Sequence, residues 1–317
     1  MDTFFKLWPS LEIYAKLFPS KRFPGLFYYD YDPQSASRPG KPVLILIHGL
    51  GDEADSWRHL IPLLGAAGYR MLAPDLPGFG RSPVSRYSSL GRHRDAVLEL
   101  AEAVSGAGSE QGIVLIGSSM GAAVAEAAAL ARASPAPASS VSASPAPAIK
   151  ALVLLDGCIP AKYPGSAQIL VAALPFTGEK WYRSFRNNPQ KAWQSLTSYY
   201  ADINSLPEAD KEFLRSRVMD RVSSLSQERG YFSSLRSMIF QSLRSSYYRR
   251  IGDWPGKIAL IWGKEDLMMP RSVAESFIKL RGEKTTELTL IPGAGHLPHQ
   301  ERPAETAQAI LAFLREV

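Results

Sequence analysis

Six short runs of almost unbroken aliphatic residues recur along this chain: VLILI (43–47), YRMLAP (69–74), IVLIG (113–117), ALVLLD (151–156), IALIWG (258–263) and LTLIP (288–292). A strand with one face in water alternates apolar and polar residues. These runs do not alternate, so each reads as a strand buried on both faces, as inside a parallel sheet. Between most of them lie segments with helical spacing: SWRHLIPLLGAAG (56–68), HRDAVLELAEAV (93–104), GAAVAEAAALARA (121–133) and PRSVAESFIKLR (270–281). Strand and helix in alternation make an α/β fold, whose ligand chemistry gathers at the carboxyl ends of the strands. FYYDYD (27–32) is expected to add an antiparallel strand at the start.

Two segments break this rhythm. ASPAPASSVSASPAPA (133–148) has almost nothing to bury and reads as a flexible surface insert. Residues 158–250 contain no buried-strand run and read as helices rich in arginine and in aromatics, of which Trp181, Tyr182, Phe185, Trp193, Tyr199 and Tyr200 are expected to supply an apolar pocket wall. The expected organisation is therefore a core of residues 1–157 and 251–317, with residues 158–250 as a helical cap. An insertion at the carboxyl end of a strand lies over the site that the strand ends form.

GSSMGA (117–122) follows one aliphatic run and opens a helical one. A G-x-S-x-G pentapeptide between strand and helix is the pattern of a nucleophile elbow. The turn is so sharp that Gly117 and Gly121 must remove colliding side chains, and Ser119 rather than Ser118 is the exposed residue. The plain alternative is a glycine-rich turn with an incidental serine. A nucleophilic serine needs a base, and the base needs an orienting acid. Asp266, in WGKED, follows the fifth run, and His296, in GAGHLPHQERP, follows the sixth. His299 is a weaker candidate base and Asp156 a weaker candidate acid. For an oxyanion, the backbone N–H of Met120 and that of Leu50, in HGLGD (48–52), are the expected donors. His48 is expected to prop that loop.

HGLGDEADSW, APDLPGFGRS, GSSMGA and the pair WGKED with GAGHLPHQERP together resemble the α/β-hydrolase fold enzymes that carry a helical cap after strand six. The resemblance spans residues 40–132 and 150–317. It implies a mostly parallel eight-stranded sheet flanked by helices, and a Ser119–Asp266–His296 triad in that chain order. It also implies an ester-like substrate cleaved through an acyl-enzyme. Within it, a serine at 119 argues against the epoxide hydrolase and haloalkane dehalogenase branches, which use an aspartate nucleophile. Rival readings are a C–C bond hydrolase, a thioesterase or haloperoxidase-like enzyme, and a ligand receptor that keeps the triad. The C–C reading needs a cation for its substrate's carboxylate, such as Arg183, Arg186 or Arg236.

Charge and composition narrow the partners. Residues 158–250 hold 14 basic and 7 acidic side chains, a surplus of 7, while the whole chain carries +6. No basic cluster or nucleic-acid motif accompanies this, so no nucleic-acid partner is expected. A single cysteine, Cys158, precludes an internal disulfide, no metal-ligand spacing is visible, and no cofactor is expected. No run reaches the length of a membrane span. The N-terminus lacks a basic stretch and is interrupted by Pro9, so no signal peptide is expected, and a cytoplasmic location follows. Phe4, Phe5, Trp8, Leu11, Tyr14, Leu17 and Phe18 fit an apolar helical stripe, which would pack on the core or touch a lipid surface weakly.

Overall fold

In a computed structural model of the protein, all six aliphatic runs form strands of one eight-stranded sheet. The structure describes residues 6–32, 40–84, 87–105, 112–133, 147–157, 173–282 and 286–317. Phe4, Phe5, Cys158, residues 134–146 of the Pro/Ala/Ser insert and residues 158–172 of the expected cap lie outside the described residues. In chain order the strands are β1 (Ala15–Phe18), β2 (Leu26–Tyr31), β3 (Val43–Ile47), β4 (Met71–Pro74), β5 (Ile113–Ser118), β6 (Ile149–Leu155), β7 (Lys257–Gly263) and β8 (Thr286–Ile291). Their spatial order is β1-β2-β4-β3-β5-β6-β7-β8. β1 pairs antiparallel with β2, and β2 with β4; every other pairing is parallel.

The aliphatic runs show why the sheet is buried twice. Ile45, Ile47, Leu115, Leu152, Leu154 and Leu260 enter one apolar layer. Their neighbours Leu44, Leu46, Val114, Ile116, Val153 and Ile261 enter the other. The helices that cover the two faces include α1 (Leu60–Ala66), α2 (Leu90–Ser105), α3 (Met120–Ala133), α9 (Ser272–Arg281), α10 (Pro298–Glu301) and α11 (Pro303–Leu314). β8 is one edge of the sheet, and its exposure alternates along the strand. The chain steps from β3 to β4 on one side and to β5 on the other. That reversal opens a crevice at the carboxyl ends of β3 and β5, where ligands bind in open α/β sheets.

Two local expectations need correction. SWRHLIPLLGAAG is not one helix: Ala54–Trp57 form a 3-10 turn, and α1 starts only at Leu60. Pro62 lacks an N–H and fits only a helix's first turn, so the helix begins just before it. The N-terminal apolar residues do not share a helical stripe either. Pro9–Tyr14 form a 3-10 turn, and Ala15–Phe18 pair with β2 in the register Ala15↔Tyr29 to Phe18↔Leu26. Lys16 anchors this edge on Asp30 at 2.7 Å. Leu11 is buried, and Trp8 packs edge-on against Phe213, with ring centroids 5.1 Å apart.

Between β6 and β7 the described chain is helical: α4 (Thr177–Arg183), α5 (Pro189–Gln194), α6 (Glu208–Ser223), α7 (Leu225–Ser242) and α8 (Ser245–Asp253). α7 lies on the β4–α2 connection so closely that a Cβ on Gly230 would overlap the Gly78 carbonyl. Its serines complete that connection: Ser233 Oγ accepts the Ser88 N–H, Ser237 Oγ accepts the Leu90 N–H, and Ser234 Oγ pairs with His93 Nε2 at 2.8 Å. α6 is tied down by buried ions. Asp210 meets Arg58 and His59, and Arg221 donates to Glu53 at 2.8 and 3.0 Å and to Asp52 at 3.0 Å. Burial alone would raise the Glu53 carboxyl, but Arg221 pulls it down to about 2. Among the described residues, no helix is long and apolar enough to cross a membrane.

Candidate active site

Ser119 stands at the switch point, between the end of β5 and the start of α3, with φ 52°. That left-handed backbone is rare for a residue with a Cβ and costs about 1–3 kcal/mol, which neighbouring contacts must offset. Ser119 N–H donates to Leu155 O at 2.9 Å, and its carbonyl accepts the Ala122 N–H at 3.0 Å. A Cβ on Gly117 would overlap the Gly121 backbone, and one on Gly121 the Ile47 carbonyl. Sequence reasoning found these two glycines and missed a third. A Cβ on Gly157, just after β6, would lie 2.5 Å from Ser119 O.

The three residues singled out across 178 positions of sequence meet here. His296 Nε2 lies 2.9 Å from Ser119 Oγ, and His296 Nδ1 lies 2.8 Å from Asp266 Oδ2. Asp266 Oδ1 accepts the N–H groups of Met268 (2.7 Å) and Met269 (2.9 Å). An ionised carboxylate only accepts, so Nδ1 of the neutral imidazole carries the hydrogen and Nε2 presents its lone pair to the serine hydroxyl. His296 is 4% exposed. Its loop is held from both sides: Glu265 accepts the Gly293 and Ala294 N–H groups, and Glu301 accepts that of Gly295. The His296 N–H donates to Tyr199 O at 2.8 Å.

The loop after β3 closes the crevice opposite. His48 is buried, and its Nδ1 lies 2.8 Å from Gly49 O while its Nε2 accepts the Leu76 N–H at 2.9 Å. Burial lowers its pKa and keeps it neutral, with the hydrogen on Nδ1. Across a trans peptide the carbonyl and the next N–H point in opposite directions. By holding Gly49 O, the imidazole turns the Leu50 N–H the other way. A Cβ on Gly49 would lie 3.3 Å from Ser119 Cβ, so this backbone runs directly beside the serine. Met120 is the buried first residue of α3.

Neither weaker candidate takes part in the contact with Ser119. Asp156 is fully buried at the end of β6, where its Oδ1 accepts the Gly263 N–H at 2.8 Å. His299 pairs with Ser56 Oγ at 2.8 Å and lies over Trp57, with ring centroids 4.5 Å apart. Burial first, then the Arg58 charge, lowers its pKa to about 3. Burial, with smaller contributions from His48 and Arg92, does the same to His93. Both imidazoles titrate near 6.5 in an unfolded chain. Below that pH the unfolded state binds protons that the folded state refuses. Stability is therefore complete above about pH 6.5 and falls by up to ~1.4 kcal/mol per pH unit for each residue as pH drops towards 3. Urea midpoints between pH 7.5 and 5 should show this slope, and a His93→Gln, His299→Gln double variant should flatten it. A wild-type midpoint that stays level down to pH 5 contradicts it.

Of the aromatic neighbours of the crevice, Tyr182 and Tyr199 are among those singled out in the sequence, whereas Tyr231 had no marker. Tyr199 lies 5.9 Å from the His296 ring, centroid to centroid. Tyr231 packs 3.1 Å from where a Gly51 Cβ would stand, with its phenol near that of Tyr199. Tyr182 and Phe232 pack beside Tyr231, so aromatic rings gather on this side, with the Arg221–Asp52 pair near them.

Comparisons with known proteins agree with this fold. Residues 44–309 match the model of the Alpha/beta hydrolase family. Epoxide hydrolase B of Mycobacterium tuberculosis is 39% identical over 84 residues, 26% of this chain; the match spans only 23% of that relative's length. The 2-hydroxy-6-oxononadienedioate/2-hydroxy-6-oxononatrienedioate hydrolase of Cupriavidus pinatubonensis is 24% identical over 286 residues, covering 87% of each chain. A thermophilic esterase from Thermogutta terrifontis shares the fold, with a TM-score of 0.68 at 21% identity over 95% of this chain and 97% of its own. The family match covers most of the chain, including both crevice loops, the elbow and the His296 loop, and this protein belongs to the alpha/beta hydrolase family.

Proposed function

We propose that the protein is a serine hydrolase that cleaves a carboxylic ester-like bond. The observation that carries this reading is the 2.9 Å approach of His296 Nε2 to a serine hydroxyl held at φ 52°. Ser119 Oγ attacks the substrate carbonyl while His296 takes its proton. The oxyanion is met by the N–H groups of Met120 and Leu50. His296 then gives the proton to the leaving alcohol, and Asp266 supports the imidazolium between the two steps. Water, deprotonated by the same imidazole, attacks the acyl-enzyme and releases the acid. Residues 158–250 serve as the cap over this crevice.

The named activity of Epoxide hydrolase B does not suit a serine at this position. Opening an epoxide with Ser119 would leave an alkyl ether on the enzyme, and an ether has no carbonyl for water to attack. An acyl group on the same oxygen is an ester, which the His296-activated water can hydrolyse. Turnover of p-nitrophenyl esters of graded chain length tests the proposal. Release of a single equivalent followed by arrest would instead fit a ligand receptor.

A dianionic C–C substrate, such as the name of the Cupriavidus relative describes, would need an available cation. Arg183 and Arg186 both donate to Glu228, and Arg236 donates to Glu179 and to Ala173 O. These guanidinium groups already face carboxylates, which favours a neutral ester. For a neutral and an anionic ester of matched size, the ratio of kcat/KM should stay within about twofold across Arg183→Ala, Arg186→Ala and Arg236→Ala. A selective loss for the anionic ester in any of them would restore the C–C reading.

A further inference from the structure

Asp156 lies beside the acid of the relay and has no part in the mechanism above. One oxygen from each of Asp156 and Asp266 and a ring nitrogen of His296 lie within 4.8 Å of one another. All three residues are buried. Asp266 is supplied with donors: the N–H groups of Met268 and Met269 on one oxygen, the His296 ring on the other. Asp156 is not. Its Oδ1 accepts the Gly263 N–H, while its buried Oδ2 has no donor among the described residues. An ionised Asp156 would leave that buried charged oxygen without one of these donors, next to a second negative charge. Placing a proton on Oδ2 removes both penalties at once, because the oxygen becomes a donor and its neighbour is a carboxylate.

Resting on the relay reading above, we propose that Asp156 is a positioning acid: its Oδ2–H donates to the Asp266 carboxylate and fixes the group that orients His296. Burial, and then the charge of Asp266, raise the Asp156 carboxyl well above the usual range, in keeping with this geometry. The hydrogen bond spreads the charge of Asp266 and weakens its pull on the imidazole proton. Other titratable groups facing the cluster from packed elements are Glu301 on α10, Tyr199 after α5 and His299 on α10. All of them stay in place in the variants below.

Asp156 has φ 46°, a conformation open to Asn and Gly, which makes those the informative substitutions. Asp156→Asn keeps an acceptor for Gly263 and an N–H donor for Asp266, with no charge. Asp156→Gly removes both. The infrared spectrum at pH 8 should contain a protonated carboxyl C=O band that is missing in Asp156→Asn. This readout needs no catalysis and stands even if Ser119 proves not to be a nucleophile. In the pH profile of kcat/KM, the acid limb should keep its position in Asp156→Asn and move up by about one pH unit in Asp156→Gly. Absence of the band, together with an acid limb that moves down in Asp156→Asn as a lost negative charge requires, would overturn the proposal. A Gly variant that fails to fold leaves the band and the Asn profile to decide.

Discussion

Ser119→Ala should lower kcat/KM for an activated ester on the order of 10³-fold or more, leaving the rate that oxyanion donors and binding sustain alone. The fold should survive, because the elbow is held by backbone contacts: Ser119 N–H to Leu155 O and Ala122 N–H to Ser119 O. Ser118→Ala is the matched control. Ser118 ends β5 with its hydroxyl buried and without a partner among the described residues, on a strand whose successive side chains face opposite ways. Its loss should change turnover by no more than about threefold. A fluorophosphonate should label Ser119 in the wild type and nothing in Ser119→Ala. Label found on Ser118, or unchanged turnover in Ser119→Ala, would overturn the assignment of the nucleophile.

Asp266→Asn should cost kcat on the order of 10⁴-fold with stability almost intact. The reason lies in the two amides behind the carboxylate. Met268 and Met269 donate to Oδ1, so an amide at 266 must keep its oxygen there and turn its NH₂ towards His296. Facing a donor, the imidazole gives up the hydrogen on Nδ1 and carries it on Nε2. That hydrogen then points at Ser119 Oγ, and the base has no lone pair for the serine proton. Single-turnover acylation measured beside the urea midpoint separates this from unfolding. If Asp156→Asn were the damaging change and Asp266→Asn nearly silent, the acid would move to the end of β6.

Much of this architecture was legible because burial writes itself into composition. A strand covered on both faces must be aliphatic throughout, so the six core strands stood out to within two residues at either end. Ser119, Asp266 and His296 were legible because each follows such a strand in a short, glycine-marked or charged loop. β1 was not, since an edge strand of four residues with Lys16 and the exposed Leu17 carries no signal that outweighs an apolar helical spacing. Tyr199 was legible as one of several aromatics in an arginine-rich helical segment, but its partner Tyr231 escaped for another reason. Tyr199 and Tyr231 are 32 positions apart on separate elements, and only the packing of α7 on the β4–α2 connection brings Tyr231 to Gly51. The arginines between β6 and β7 were readable as a charge surplus, but their carboxylate partners were not. Glu228 answers Arg183 from 45 residues away.

The helices between β6 and β7 are fastened unequally. α6 and α7 are bolted down by Asp210 with Arg58, by Arg221 with Glu53, and by serines that finish α2. Most of these contacts lie out of water, where salt screens little. The ionic links of α4 and the turn after it, Arg183 and Arg186 with Glu228 and Glu179 with Arg236, are partly open to solvent and therefore weak, so α4 and α5 are held chiefly by the apolar contact of Tyr182, Phe185 and Ala192 with Val218, Val222 and Phe232. One end of this helical segment is thus fastened by buried charge and the other chiefly by apolar contact. The charged end carries Arg221, which holds Asp52 and Glu53 just after the loop that follows β3. Under the proposed mechanism, substitutions that reshape α4 and α5 leave that loop's anchorage untouched. Selectivity and chemical precision then rest on different fastenings of the same segment.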